Sequence, residues 1–167
     1  MDPILDKARA GQNALEQLAN SIPGFQGYRE KELRRDADRM QREYLASRLE
    51  ESKKRLDGFA AAGSRAGALE GINDIETARK RLDRVVARIR YADRGYAGFF
   101  ATIKVDEAAL DRVYRYDLGL LQGVEDARAA LAAPGANPAQ AVKEMIGRLD
   151  ALDAALAERE SILNGIG

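Results

Sequence analysis

Apolar residues recur at alternating four- and three-residue spacings along most of this 167-residue sequence. This spacing places apolar side chains on one face of an α-helix, whereas a half-buried strand alternates at every second residue. The clearest run comprises Ile75, Ala78, Leu82, Val85, Ile89 and Ala92. No strand-like alternation of comparable length occurs. The sequence therefore predicts an all-α protein.

Turn and capping residues divide the pattern into helices. Helices are predicted over residues 2–21, 29–57, 73–92, 106–132 and 137–165, with Asp106 and Asn137 as N-caps. The Gly/Ala-rich stretch 58–71 is predicted as a flexible connection, with a close-packed helix as the alternative. We expect one domain over residues 1–167, a mainly antiparallel bundle of four long helices plus an N-terminal helix 1–21. This N-terminal helix either packs on the bundle or is semi-independent.

Composition excludes several kinds of chemistry. The chain has no Cys and no His, which removes thiolate nucleophiles, the commonest general base and the commonest transition-metal ligand. We therefore expect no enzyme activity, no cofactor and no metal. No apolar run approaches the roughly 18 residues of a membrane span, and no basic stretch precedes an apolar one at the N-terminus. These features favour a cytoplasmic protein.

Charge is unevenly distributed along a chain whose formal net charge is zero. Residues 28–104 carry nineteen Lys and Arg against thirteen Asp and Glu, and residues 105–167 carry six against eleven. Basic and acidic helices are expected to pack against one another. Pairs four residues apart, such as Asp38–Arg42, are expected on a solvated face. Nucleic-acid binding is disfavoured, because acids interleave with the basic rows Lys31, Arg35, Arg39, Arg42 and Lys80, Arg84, Arg88.

Asp117 stands where the helical pattern requires an apolar residue. An unpaired buried carboxylate costs several kcal/mol, so Asp117 is expected to have a partner. The candidate partners lie between residues 90 and 100, and they are Arg90, Tyr91, Arg94 and Tyr96. In the alternative interpretation, Asp117 lines a small-ligand cavity beside this glycine-aromatic loop, and Asp93 meets the same loop.

Two glycine-aromatic segments carry a resemblance. The first runs from Ile22 to Asp38 and opens with Ile22-Pro-Gly-Phe-Gln-Gly-Tyr28, in which Phe25 and Tyr28 either pack the turn onto the bundle or face a partner. The second runs from Arg90 to Phe100, leads into Asp117 and ends with Gly95-Tyr-Ala-Gly-Phe-Phe100, which contains Phe99 and Phe100. The sequence resembles a group of uncharacterised bacterial helical proteins in these segments. The resemblance covers about a third of the chain and implies no activity.

These observations favour a non-enzymatic scaffold or adaptor that acts through protein–protein contacts or self-association. A peripheral membrane-associated or stress-response helical protein remains an alternative, although the acidic first helix disfavours a membrane surface. A small-ligand pocket near Asp117 is the other alternative. The candidate binding residues are Asp117, Asp93, Arg94, Tyr91, Tyr96, Phe99, Phe100, Phe25 and Tyr28.

Overall fold

Helices joined by turns account for the structure, a computed structural model that describes residues 13–65, 67, 71–91, 107–132 and 137–165. No strand occurs among these residues, and the all-α prediction is confirmed. The elements are α1 (13–21), a short 3-10 helix (Lys31–Leu33), α2 (Arg34–Glu50), α3 (Ser52–Arg65), α4 (Ile72–Arg90), α5 (Glu107–Ala132) and α6 (Pro138–Gly165).

The long helices form two antiparallel hairpins. One hairpin pairs α2 and α3 with α4, and the other pairs α5 with α6. In each hairpin, residue numbers rise along one helix while those of the residues they contact on the other helix fall. The contacts that give these directions are Arg42–Arg90 and Lys53–Asp83 in the first hairpin, and Asp117–Arg159 and Gly123–Leu152 in the second.

The two hairpins lie side by side, with α4 against α6 and α2 against α5. Within each of these lateral pairs the helices run parallel, because the residue numbers of the contacting residues rise together along both helices. These contacts are Arg81–Asp150 and Arg88–Asp153 between α4 and α6, and Arg48–Glu125 and Glu51–Arg128 between α2 and α5. The predicted antiparallel packing is thus found within each hairpin. The contacts between the two hairpins, α4 with α6 and α2 with α5, are parallel.

Charged side chains join α4 to α6 along their shared edge. Arg81 pairs with Asp150, and Arg84 and Arg88 both pair with Asp153, at 3.3 Å and 2.6 Å. Two of the three residues in the basic row of α4 therefore have acidic partners within the bundle. The expected packing of basic against acidic helices is confirmed at this edge.

The predicted helix 29–57 is wrong in two respects. It begins with the 3-10 turn at Lys31–Leu33 and is interrupted at Glu51, after which α3 continues to Arg65. Glu51 keeps right-handed helical angles (φ −56°, ψ −26°), and its N–H donates to the Ser47 carbonyl at 3.2 Å. The interruption is therefore local.

The predicted flexible connection over residues 58–71 is wrong for residues 58–65, which are helical. Ala60, Ala61 and Ala62 have the highest helix propensity, and their contribution offsets the cost of the neighbouring glycines. Leu56 is buried and Phe59 is partly buried, so tertiary packing also supports this turn of helix. Within the described part of residues 58–71, left-handed backbone occurs at Gly67 (φ +68°) and Gly71 (φ +90°), beyond the end of α3.

Capping differs between α4 and α6. The predicted cap of α6 is confirmed, since the Asn137 side chain accepts a hydrogen bond from the Ala139 N–H at 3.0 Å. The predicted start of α4 at residue 73 lies one residue from the observed start, since that helix begins at Ile72 after left-handed Gly71; it has no side-chain cap. The predicted cap of α5, Asp106, lies outside the described residues.

Two glycines one turn apart on α5 have different surroundings. A side chain on Gly123 would place its Cβ 2.7 Å from Leu152 Cδ2, so this glycine permits close packing of α5 on α6. Gly119 is exposed, and no described atom would lie within 4 Å of its Cβ. Of these two glycines, Gly123 alone is closely approached by another described element, through the Leu152 side chain.

We expect Gly119→Ala to raise the free energy of unfolding by about 0.5–1 kcal/mol, the usual gain from replacing an exposed mid-helix glycine. Gly123→Ala should lower it by about 1 kcal/mol, because buried Leu152 must move to admit the methyl group. Urea denaturation of the two variants beside the parent chain measures both values. Equal effects of the two substitutions would contradict this account of α5–α6 packing.

Candidate functional site

The turn at Ile22-Pro-Gly-Phe-Gln-Gly-Tyr28 connects α1 to the 3-10 helix. Its Phe25 N–H donates to the Ile22 carbonyl at 3.1 Å. Gly24 (φ +80°) and Gly27 (φ +88°) adopt left-handed backbone, which other residues rarely tolerate. The turn predicted from Pro23 and Gly24 is therefore present.

Aromatic rings fasten this turn to α5. Tyr28 stacks on Tyr114, with ring centroids 5.5 Å apart and an interplanar angle of 11°, and Phe25 meets Tyr28 edge to face at 5.4 Å. The Tyr28 N–H also donates to the Tyr114 hydroxyl at 2.8 Å. Both Phe25 and Tyr28 are buried. These two candidate residues thus pack the turn onto the bundle, and the alternative in which they face a partner is not observed.

Gly27 allows Tyr114 to reach the turn. A Cβ at this position would lie 2.7 Å from the Tyr114 hydroxyl oxygen and 3.0 Å from Leu15 Cδ1. Such contacts are shorter than van der Waals separation. Glycine is therefore required at this position for space as well as for its backbone angle.

Asp117 accepts hydrogen bonds from two distant parts of the chain. The Tyr28 hydroxyl donates to Oδ2 at 2.6 Å, and Arg159 Nε donates to Oδ1 at 2.7 Å. The side chain of Asp117 is fully buried. The prediction that Asp117 is buried and paired is confirmed.

Arg159 extends the pairing to α2. Its terminal nitrogen donates to Asp38 Oδ1 at 2.9 Å, while Arg42 Nε donates to Asp38 Oδ2 at 2.7 Å. All four charged side chains of this buried network are at most 6% exposed. The prediction of a solvated Asp38–Arg42 pair is therefore wrong, because Asp38 faces Arg159 inside the bundle. The network comprises Tyr28, Asp38, Arg42, Asp117 and Arg159.

Burial and charge act on the ionisation of this network in opposite directions. Burial raises the pKa of Asp117 above its ordinary value, although Arg159 and the Tyr28 hydroxyl act to lower it. Burial would lower the pKa of Arg159, but the carboxylates of Asp117 and Asp38 outweigh it and raise that pKa well above the usual value. Burial, followed by the charge of Asp117, raises the pKa of Tyr28 well above its usual range. Tyr28 therefore remains a hydrogen-bond donor at neutral pH.

The partners predicted for Asp117 differ from those observed. Arg90 pairs with Glu43 and Glu50, at 3.3 Å and 3.2 Å, and the side chain of Tyr91 is 70% exposed. The hydrogen bonds of Asp117 come instead from Tyr28 and Arg159. The remaining candidates Asp93, Arg94, Tyr96, Phe99 and Phe100 lie outside the described residues.

Sequence reasoning missed Arg159, although the helical pattern carries a signal for it. The apolar face of α6 follows the four-three spacing through Leu149, Leu152 and Leu156, and the next position is Arg159. A cation on the apolar face of one helix and an acid on that of another are expected to meet. Asp38 gave a weaker signal, because its partner four residues away suggested a surface pair.

An apolar groove of about 270 Å³ lies beside the turn. Leu33 and Met40 contribute to it and are 47% and 38% exposed, which makes them two of the three exposed large hydrophobic residues in the described part of the chain. The third is Tyr91, which does not line the groove. We call this surface the turn groove; its lining residues are Gly24, Gln26, Gly27, Arg29, Glu30, Leu33, Asp36, Ala37 and Met40.

The buried network lies directly behind the turn groove. Gly27 and Ala37 line the groove, and the residues that follow them, Tyr28 and Asp38, belong to the network. The Arg34 side chain adds a further link by donating from Nε to the Tyr28 carbonyl. The turn and α2, which form the two walls of the groove, are thus joined through the interior.

Within the described residues, no group of three or more acidic side chains is placed to hold a metal ion, and no helix is long and apolar enough to cross a membrane. Comparison with protein-family models, curated proteins and solved structures finds no match for this chain. The resemblance carried by the two glycine-aromatic segments therefore stays a prediction.

We expect Asp117→Ala to lower the free energy of unfolding by about 3–5 kcal/mol, because it leaves a buried guanidinium without one of its two carboxylates. Asp117→Asn should lose most of that stability, since it keeps the shape but removes the charge. The control Asp126→Ala lies on the same helix with its side chain 57% exposed, and it should change stability by no more than about 0.5 kcal/mol. Chemical denaturation gives all three values, and a similar loss in Asp117→Ala and Asp126→Ala would contradict the pairing.

Tyr28 should make stability fall at alkaline pH. The pKa of Tyr28 in the folded protein lies above the unfolded value of about 10. The contribution of Tyr28 to the free energy of unfolding is therefore complete below pH 10 and is lost as the pH rises through the folded-state pKa. Tyr28→Phe should lower the free energy of unfolding by about 1–2 kcal/mol at neutral pH, and the gap from the parent chain should narrow above pH 10. Denaturation at several pH values measures the difference in free energy of unfolding between Tyr28→Phe and the parent chain. A difference that is the same above and below pH 10 would contradict a stabilising role for the protonated Tyr28 hydroxyl.

Proposed function

We propose that this protein is a non-enzymatic scaffold or adaptor that binds a protein partner through the turn groove. The observation that supports this most directly is the exposure of Leu33 and Met40 in one apolar depression. Leu33, Ala37 and Met40 follow one another at i, i+4 and i+7, so they form a continuous apolar track along the start of α2. Exposed apolar residues that cluster in this way mark interaction sites, whereas single exposed ones are common on any protein.

The size of the groove favours a protein partner over a small molecule. Pockets for cofactors and drug-sized ligands occupy roughly 300–1,000 Å³, and the turn groove, at about 270 Å³, is at the lower limit of this range and is open at the surface. It suits apolar side chains presented by another chain. Met40 adds adaptability, because an unbranched thioether can repack around different side chains.

The support behind the groove also favours binding. The turn wall is held by aromatic packing on Tyr114 and by the Tyr28–Asp117 hydrogen bond, and the helix wall is held by Asp38 and Arg159. A surface fixed before binding loses less conformational entropy when a partner arrives. The buried network thus contributes to binding by supporting the groove and makes no contact with the partner.

The composition supports a non-enzymatic role. The chain has no His and no Cys, and its buried acids Asp38 and Asp117 are held by arginine side chains. A carboxylate held in this way is not an available general base. The alternative of a small-ligand site at Asp117 requires an unpaired acid, and Asp117 is paired.

A second apolar groove of about 420 Å³ lies where α3, α4 and α6 meet. Phe59, Ile72 and Ile75 line this groove and are only partly exposed, and Phe59 and Ile75 pack against the hydrophobic core. The turn groove, whose apolar residues are more exposed, is therefore the better candidate.

Site-specific photo-crosslinking tests the proposal. A photoreactive amino acid at position 40 should crosslink to a discrete protein in an extract of the native cell. The same residue at position 91 is the matched control, because Tyr91 is also exposed but lies outside the groove. Adding Leu33→Asp to the chain labelled at position 40 should reduce crosslinking at least tenfold, since burial of one apolar side chain is worth about 1.5–3 kcal/mol.

Circular dichroism melting of each labelled chain verifies that folding is unchanged. Crosslinking from position 91 but not from position 40 would indicate that the partner binds the surface around Tyr91. Absence of a discrete product from position 40 would contradict the proposal.

A further inference from the structure

We infer that the occupant of the turn groove is a cationic amphipathic helix of the partner protein. This inference rests on the proposed function and specifies the chemistry of the partner. It follows from the charges at the edge of the groove and from the spacing of its apolar residues.

The edge of the turn groove carries acidic groups that form no ion pair within the described part of the chain. Three charged residues line the groove, and they are Arg29, Glu30 and Asp36. Arg29 pairs with Glu107 at 3.2 Å, so its charge is already offset. Glu30 and Asp36 form no ion pair with any described residue. Of the three charges that line the apolar floor, the two carboxylates are therefore the ones that no ion pair within the described residues offsets.

These carboxylates select the sign of the partner's charge. A Lys or Arg beside the docked apolar face would meet Glu30 or Asp36, whereas an acidic residue there would be repelled. Exposed ion pairs add little affinity individually, and salt screens them. We therefore assign affinity to Leu33 and Met40, and charge preference to Glu30 and Asp36.

The apolar track matches a helical partner. Leu33, Ala37 and Met40 present a straight line along α2, and a second helix laid beside it would offer side chains at the same i, i+4 and i+7 spacing. Ala37 leaves space between the two larger residues for a partner side chain. A groove between a helix and a turn is a familiar type of docking site for an amphipathic helix.

Three peptides of one length test this inference. Each has the same Leu face at helical spacing, and the polar face is built from Lys, from Glu or from Gln. Fluorescence anisotropy should show the Lys peptide binding about tenfold tighter than the Glu peptide at low salt, with the Gln peptide between them. The difference should shrink as salt rises above physiological strength.

Matched double variants locate the preference. Glu30→Gln with Asp36→Asn should reduce the Lys-to-Glu preference to about twofold or less. Asp126→Asn with Glu144→Gln removes the same charge from α5 and α6 and should retain the preference. Met40→Asp should weaken binding of the Gln peptide at least tenfold.

The possible outcomes separate this inference from the proposed function. Equal affinity for the three peptides, with loss in Met40→Asp, would overturn the cationic partner and keep the groove as a binding site. Tighter binding of the Glu peptide would also overturn the inference. Failure of every peptide to bind, together with crosslinking from position 40 in the extract, would exclude a helical occupant while the groove remained the site.

Discussion

A single guanidinium joins three helices in the centre of this bundle. Arg159 of α6 binds Asp117 of α5 and Asp38 of α2, and all three side chains are buried. Apolar residues of similar volume can stabilise a core as well as such a group does, so the distinct contribution of the charges is geometric. Only one relative position of α2, α5 and α6 lets one side chain reach both carboxylates. This buried interaction therefore constrains the alignment of the two hairpins from inside the core, in addition to ion pairs nearer the surface such as Arg88–Asp153 and Arg48–Glu125.

The same interaction reaches the surface through Tyr28. Asp117 accepts from the Tyr28 hydroxyl, and the Tyr28 carbonyl accepts from Arg34, so the turn is bound both to the interior and to the start of α2. The exposed apolar residues beside the turn lie on a backbone that the core holds in place. An irregular turn with two left-handed glycines thus acquires the fixed geometry that recognition requires.

The sequence predicted the helices, the turn and the burial of Asp117 because these depend on local periodicity and on the cost of an unpaired charge. It did not predict the partners of Asp117, since Tyr28 and Arg159 lie 89 and 42 residues away in the chain. Such pairings depend on how the hairpins pack. The turn groove was also missed, because Leu33 and Met40 belong to an apolar track that looked like core. Residues 58–65 were misassigned because tertiary packing and alanine propensity outweighed the glycines.

The long sequence separations within the network have a consequence for the order of folding. Each hairpin can form from contacts close in the chain, but the Arg159–Asp38 contact spans 121 residues. Loop closure over such a distance is slow, so this contact is expected to form late. Until this contact forms, the Asp38 carboxylate lacks the Arg159 guanidinium and remains more stable when hydrated than when buried. Docking of the two hairpins and removal of water from the core then occur in a single step. A folding intermediate in which the hairpins are loosely associated would retain water between them.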